Sequence, residues 1–182
     1  FYSNSDESLI GAIEDITQLG ARGIVLDLRD NPGGLLATVV TIASQFLEGG
    51  IVVFEVDGNG KRKNWDVESN GIAKDIPMVV LVNQFSASAS EVLSGALQDH
   101  ERALVVGTTT FGKGSVSRLK PLSDGGALYY TYGRWYTPNG RLIEGNGLEP
   151  DVVVPKGLGI QGDQQLEKAF ELLGDVVSAE NT

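Results

Sequence analysis

Two stretches of this sequence contain residue types that could carry out chemistry together. They are SASASE, residues 86–91, and GTTTFGKGS, residues 107–115. A serine hydroxyl becomes a nucleophile when a neighbouring base removes its proton, and a lysine can be that base only in its neutral form. With the ordinary lysine pKa near 10.4, about one lysine in a few thousand is neutral at pH 7. We therefore expect a catalytic lysine here to be buried in an apolar pocket.

The second stretch also nearly matches a phosphate-binding loop, G-x-x-x-x-G-K-[ST], through Gly107, Gly112 and Lys113. That motif needs a hydroxyl after the lysine to hold Mg²⁺, and a helix after the loop to present N–H groups to phosphate. Gly114 supplies no hydroxyl, and the residues that follow it alternate like a strand. The stretch is therefore predicted to be a turn entering a strand and not a nucleotide site.

Other catalytic classes have little support in the sequence. The one histidine, His100, stands at the end of a predicted helix, where histidines commonly interact with the helix dipole. There is no G-x-S-x-G elbow. A zinc site built from histidines and cysteines is excluded by one histidine and no cysteine, and no acidic cluster suggests another metal site. We expect no metal and no cofactor.

The serine cluster has a structural interpretation beside the chemical one. Ser88 and Glu91 fit the capping box S-x-x-E ahead of an apolar helix. A serine at a helix N-terminus also lies where free N–H groups and the helix dipole stabilise a developing oxyanion. The local pattern does not choose among Ser86, Ser88 and Ser90 as a nucleophile, and for Lys113 the more common interpretation of an isolated GKG is a lysine in a glycine-rich turn.

Length and composition limit the class of protein. The 182 residues, 41% apolar and 21% charged, are typical of a globular domain with a sizeable core. The net charge of −10 disfavours nucleic acid and anionic lipid as partners, because both are bound by clustered lysines and arginines. No apolar run approaches the roughly 20 residues of a membrane span.

The elements that must position these stretches alternate between helix and strand. Helical spacing covers residues 5–19, 35–47, 86–99 and 163–175, while strand patterns cover 23–28, a hairpin at 51–67, 76–83, 102–107, 115–122 and 127–138. Gly49 and Gly50 are the predicted C-cap of the second helix. This order predicts an α/β fold with a mixed sheet and hairpin insertions.

Four segments together resemble one protein family. GIVLDLRDNPGG, VNQFSASASEVLSGALQD, GTTTFGKGSV and YTPNGRLIEGNGLEPDVVV occur in the order and at the spacing of the C-terminal processing proteases, also called tail-specific proteases. The similarity runs from about residue 5 to residue 156. It implies a serine endopeptidase with a Ser–Lys dyad on a crotonase-like ββα spiral core, related to the caseinolytic protease fold.

The resemblance also implies which residues form the site. In the family the nucleophile precedes the lysine by 25 residues, which selects Ser88 as the nucleophile and Lys113 as the general base. The oxyanion donors map onto the backbone N–H of Gly33, or of Gly34, and onto that of Ala89. A glycine pair allows the substrate carbonyl to approach the backbone closely.

Three further residues are supporting candidates: Glu91, Thr110 and Ser117. Many family members have a glutamine four residues after the lysine, which orients the lysine side chain. Here that position is Ser117, whose shorter side chain would reach Lys113 only through water. Either another group holds the lysine, or this member of the family is less active, or its site is degenerate.

The resemblance leads to expectations about the whole protein. We expect residues 1–182 to form a single protease core domain, without the PDZ domain that usually precedes it in the family. The substrates would be the C-termini of unfolded or precursor polypeptides, paired in extended form with the strand after Lys113. The expected location is outside the cytoplasm, in a bacterial periplasm or cell envelope.

Two other functions remain open on this fold. Retinoid-binding repeats of the photoreceptor matrix use a related core to hold apolar ligands, so a non-catalytic binding module is the main alternative. The presence of both Ser88 and Lys113 favours the protease. A crotonase-type acyl-CoA enzyme is a third alternative, although nothing in the sequence demands CoA.

Overall fold

Helices and strands alternate along the chain in the computed structural model, which describes residues 1–69, 71–155, 157 and 162–179. The helices are α1 (Ser5–Gln18), α2 (Leu36–Ser44), α3 (Ala89–Asp99) and α4 (Gln164–Ala179). The strands are β1 (Ile24–Asp27), β2 (Ile51–Asp57), β3 (Arg62–Asp66), β4 (Met78–Val82), β5 (Leu104–Gly107), β6 (Ser115–Pro121), β7 (Ala127–Tyr136) and β8 (Val152–Val153). The predicted mixed α/β class is confirmed. Within the described residues, no helix has the length and apolar character needed to cross a bilayer.

The strands form two sheets of different kinds. One is parallel with the order β1-β4-β5-β8, and the other is antiparallel with the order β3-β2-β7-β6. In β4, Val80 and Val82 pack into the core formed with α2 and α3, whereas Val79 and Leu81 pack against Ala169 of α4. Helices on both faces explain why this strand is a continuous apolar run without alternation.

The C-terminal ends of the parallel strands bring the candidate segments together. β1 ends at Asp27, β4 at Val82 and β5 at Gly107, and the parallel register places these three ends at one edge of the sheet. The segments that follow them are residues 28–34, 83–88 and 108–114. Ligand sites of parallel α/β sheets lie at this edge, so the topology alone collects the three motifs.

Two predicted helix boundaries are wrong. The second helix ends at Ser44 and not at Gly49-Gly50, because Gln45 and Phe46 donate to carbonyls three residues back and the Gln45 carbonyl accepts the N–H of Ala73. The third helix begins at Ala89, so residues 86–88 form a turn before the helix instead of its first turn. That turn changes the setting of the serine cluster.

The terminal helix predicted over 163–175 is α4, which begins at Gln164 and continues to Ala179. Arg29, just after β1, forms ion pairs with Asp27 at 2.6 Å and with Asp163 at 2.8 Å. The hydrogen bond to Asp27, and then that to Asp163, raises the pKa of the Arg29 guanidinium above its ordinary value. The same arginine lowers the pKa of the Asp163 carboxyl. The ion pair with Asp163 therefore holds the start of α4 next to the segment that contains the glycine pair.

Candidate active site

The structure separates the three serines that the local sequence left equivalent. Ser86 and Ser90 are fully buried, and their hydroxyls donate to main-chain carbonyls, Ser86 to Leu28 at 2.7 Å and Ser90 to Asn31 at 2.9 Å. Ser88 between them is only half-buried. The outer two serines therefore hold the turn against residues 28–31, while the central serine remains partly accessible to solvent.

Ser88 also has a backbone conformation that few residues adopt. It is the N-cap of α3, with φ 57° and ψ −118°. A positive φ in a residue other than glycine is strained and persists only where surrounding contacts hold it. A sharp, strained turn from a strand into a helix is how α/β-hydrolases expose their nucleophilic serine, and β4, residues 83–88 and α3 form such a turn here.

The carboxylate of Glu91 joins the serine turn to the lysine loop. Its Oε2 accepts the backbone N–H groups of Ser88 and Lys113 at 2.8 Å each, and its Oε1 accepts the Gly112 N–H and the Thr110 hydroxyl at 2.6 Å each. The Glu91 side chain is fully buried. The capping box expected from S-x-x-E is present, and the same carboxylate also binds a segment about twenty residues further along the chain.

A second glutamate, which the sequence analysis missed, holds the other side of the lysine loop. Glu144 accepts the Gly114 N–H at 2.8 Å, and the Gly145 N–H donates to the Gly112 carbonyl at 2.9 Å. A Cβ on Gly114 would lie 2.5 Å from the Glu144 backbone nitrogen. The glycine-rich composition of residues 139–147 was the available signal, because it indicated a close approach of backbones.

The side chain of Lys113 is exposed, so the expectation that this lysine is buried is wrong for the free site. The reason is that the loop makes its tight contacts through the backbone of Gly112, Lys113 and Gly114, which leaves the lysine side chain at the surface. Ser117, the expected supporting residue, pairs its hydroxyl with that of Thr131 at 3.0 Å across β6 and β7.

Gly33 lies directly against the serine turn. It is buried and has φ +96°, and a Cβ at this position would be 2.6 Å from the Ala87 carbonyl oxygen, 2.7 Å from the Ala89 nitrogen and 2.9 Å from the Ser88 Cβ. No side chain fits there, so the contact requires glycine. The close approach brings the backbone of the glycine pair and the N-terminus of α3 around Ser88.

The three expected oxyanion donors differ in what they bind. The Gly33 N–H donates to Oδ1 of Asn31 at 3.0 Å. The N–H groups of Gly34 and Ala89 have no acceptor in the part of the chain that the structure describes. The sequence analysis did not predict a role for Asn31, because an asparagine before a proline is typical of a turn.

The geometry gives no support to phosphate binding, to a catalytic role of His100 or to a metal site. Strand β6 follows Gly114, so the lysine loop lacks the helix that a phosphate loop requires. His100 Nε2 lies 2.9 Å from the Ile51 carbonyl oxygen, which is a structural contact at the end of α3. Among the described residues, no group of histidine and carboxylate side chains is arranged to hold a metal ion.

Known proteins resemble this chain in sequence and in structure. The model of the family "Peptidase family S41" matches residues 1–154. A carboxy-terminal-processing protease of Bartonella bacilliformis is 42% identical over 166 residues, which is 87% of this chain and 38% of the relative. A carboxyl-terminal-processing protease of Synechocystis sp. is 40% identical over 179 residues, covering 95% of this chain and 42% of the relative.

Among solved structures, a photosystem II D1 C-terminal processing protease superposes with a TM-score of 0.83 at 38% identity. The superposition covers 96% of this chain and 44% of that structure. The chain therefore spans less than half the length of these relatives.

Proposed function

The chain belongs to peptidase family S41, and from that premise we propose that it is the catalytic core of a serine endopeptidase that cleaves protein substrates near their C-termini. Ser88 is the nucleophile and Lys113 the general base. The observation that carries the proposal is the fully buried Glu91 carboxylate, which binds the backbone N–H groups of both residues. Two segments from different strands are thereby held at one fixed relative position.

The proposed reaction begins at the Ser88 hydroxyl. Its oxygen attacks the scissile carbonyl carbon while Lys113, in its neutral form, takes the proton. The carbonyl oxygen becomes an oxyanion, which the N–H of Ala89 and an N–H of the Gly33–Gly34 pair stabilise. The N-terminal end of the α3 dipole adds to this stabilisation. Lys113 then protonates the leaving amine, and water releases the acyl group from Ser88.

Exposure of Lys113 in the free site is compatible with this role if the substrate completes its burial. A peptide laid over the loop would remove water from the lysine side chain, and exclusion of water disfavours the charged form of a lysine. β6 begins at Ser115 and has β7 as its neighbour in the described sheet, so its outer edge offers unpaired N–H and C=O groups. An extended substrate that paired with this edge would pass over Lys113.

For the whole protein we propose unfolded or precursor polypeptide C-termini as substrates and action outside the cytoplasm. The proteins named above process carboxyl termini, and one of them acts on the D1 protein of photosystem II according to its name. Residues 1–182 would be one core domain, and the site needs no metal or cofactor. The support is the similarity to these relatives together with the geometry of the serine turn.

The proposal is tested with an unfolded polypeptide substrate and four forms of the protein. Wild type and Ser90→Ala should cleave it, whereas Ser88→Ala and Lys113→Arg should not. Arginine keeps the positive charge and length but cannot deprotonate near neutral pH, so it cannot act as a base. Cleavage by Ser88→Ala at the wild-type rate would refute the proposal, as would full activity of Lys113→Arg.

A further inference from the structure

Asn31 makes two kinds of contact at the glycine pair, one through its backbone and one through its side chain. Its carbonyl oxygen accepts the Ala87 N–H at 3.0 Å and the Ser90 hydroxyl at 2.9 Å. Its side-chain Oδ1 accepts the Gly33 N–H at 3.0 Å. The backbone contacts fasten residue 31 to the serine turn, so the position of the loop does not depend on the side chain.

The side-chain contact engages one of the N–H groups proposed above as oxyanion donors. Gly33 touches the turn around Ser88, yet its N–H points to Oδ1 of Asn31 and not to an empty site. The N–H of Ala89, on the other side of Ser88, has no acceptor among the residues described. Of the three candidate donors, the N–H groups of Gly34 and Ala89 have no acceptor among the described residues, and that of Gly33 is already bonded to Asn31.

We propose that Asn31 is a positioning residue whose side-chain oxygen occupies the place of the oxyanion in the free protein and releases the Gly33 N–H when the tetrahedral intermediate forms. This inference rests on the proposed function of Ser88. Asn31 keeps the Gly33 N–H satisfied while no substrate is bound, because an unsatisfied buried N–H is costly. The oxyanion is a stronger acceptor than a neutral amide oxygen and takes over the bond.

Space for the displaced side chain is present beside the loop. Asn31, Pro32 and the glycine pair line a cavity of about 920 Å³, whose lining also includes Leu26. Asn31 is half-buried, so its amide can rotate towards this cavity without leaving the protein surface. Rotation of one side chain is sufficient, because the backbone contacts of residue 31 remain in place.

The test compares two ligands that differ only at the reacting atom. A peptide aldehyde is made with the sequence preceding a bond that wild type cleaves, together with the matching peptide alcohol. Ser88 Oγ adds to the aldehyde carbon, the carbonyl electron pair moves onto its oxygen, and the serine proton passes to Lys113. The alcohol binds in the same groove but forms no oxyanion. The ratio of the two inhibition constants therefore reports on formation of the covalent adduct, which the oxyanion donors stabilise, and not on binding in the groove.

Asn31→Ala should improve binding of the aldehyde relative to the alcohol by about 2- to 10-fold, since no side-chain bond has to be broken. Asn31→Asp keeps the acceptor and the turn but places a negative charge beside the oxyanion. Asn31→Asp should weaken binding of the aldehyde at least about 10-fold and leave binding of the alcohol nearly unchanged. Asn59→Ala, which changes an exposed asparagine in the turn between β2 and β3, is the control and should leave the ratio unchanged.

If the ratio of the two inhibition constants is the same in wild type and in both Asn31 variants, Asn31 is a purely structural residue and the inference is overturned. The proposed function would still stand. Weaker binding of the aldehyde to Asn31→Ala would also overturn the inference. Asn31 would then support the oxyanion site instead of vacating it. If wild type does not prefer the aldehyde in a Ser88-dependent manner, the proposed function itself fails and the inference falls with it.

Discussion

Ser88 and Lys113 donate their backbone N–H groups to the same atom, Oε2 of Glu91, at 2.8 Å each. One residue begins a helix after β4 and the other lies in the loop after β5. A shared acceptor fixes the distance between the two backbones within the range that two hydrogen bonds allow. The relative placement of the backbones of the proposed nucleophile and the proposed base therefore depends on a third residue, Glu91.

Replacement of Glu91 should separate these two segments. In wild type, four donors bind the two carboxylate oxygens of Glu91. Glu91→Gln keeps the size of the side chain but leaves only one oxygen to accept these hydrogen bonds. We expect peptidase activity to fall at least 10-fold and the free energy of unfolding to fall by about 2 kcal/mol. Activity assays and urea unfolding measure the two effects, with the exposed Glu7→Gln as the control. Unchanged activity in Glu91→Gln would contradict this role.

The hydroxyl of Thr110 is expected to matter more than its methyl group. It donates to Glu91 at 2.6 Å and accepts the Leu148 N–H at 2.7 Å. Thr110→Val preserves shape but leaves the buried Leu148 N–H without its acceptor and removes one of the two donors to Oε1 of Glu91, which should cost about 1 to 3 kcal/mol of stability. Thr110→Ser keeps the hydroxyl and should remain close to wild type in stability and activity. Equal losses in the two variants would mean that packing, and not the hydrogen bonds, is responsible.

A methyl group at Gly33 should disturb the serine turn. Gly33→Ala would place its Cβ within 3 Å of Ala87, Ser88 and Ala89 atoms. Gly20→Ala is the matched control, because Gly20 has φ +76° but nothing within 4 Å of its Cβ position. Both variants pay the left-handed backbone cost of about 1 kcal/mol, so the difference between them isolates the clash. Gly33→Ala alone should lose activity by 10-fold or more, and equal activities would exclude the clash.

The attachment of α4 should weaken in acid. Arg29 lowers the pKa of Asp163 in the folded protein, so the ion pair stabilises the fold above the ordinary carboxyl pKa, near 3.9, and this stabilisation is lost as pH falls through the lower folded value. Asp163→Asn keeps the cap on the Leu166 N–H and removes only the charge. Because the Asp163 side chain is 43% exposed, we expect a loss of about 0.5 kcal/mol at pH 7.

Urea unfolding of wild type and Asp163→Asn at pH 7 and pH 3 tests this sign. The difference between the two proteins should shrink at the lower pH, where the wild-type carboxylate begins to take up its proton. Asp175→Asn, an exposed charge on the same helix, is the control and should show no such change. A difference that grows in acid would contradict the assignment.

The element order and the placement of the motifs could be predicted because both depend on local patterns. Apolar periodicity marks which residues are buried, and it located the four helices and strands β1 to β7 to within about four residues, whereas β8 was not predicted as a strand. Helix α2 ended early because the Ala73 N–H binds the Gln45 carbonyl, a contact from a distant segment that periodicity does not contain.

The sequence by itself determined the fold class, the family resemblance and the three segments that carry the candidate motifs, whereas the parallel strand order that brings these segments to one edge of the sheet came from the structure. Only the tertiary structure decided which of Ser86, Ser88 and Ser90 is accessible, and that Lys113 lies at the surface of the free site. Only the tertiary structure showed that the Glu91 carboxylate accepts backbone N–H groups from a loop about twenty residues further along the chain. Side-chain partners of this kind depend on how separate segments approach when the core packs, whereas local sequence patterns report burial and turns alone.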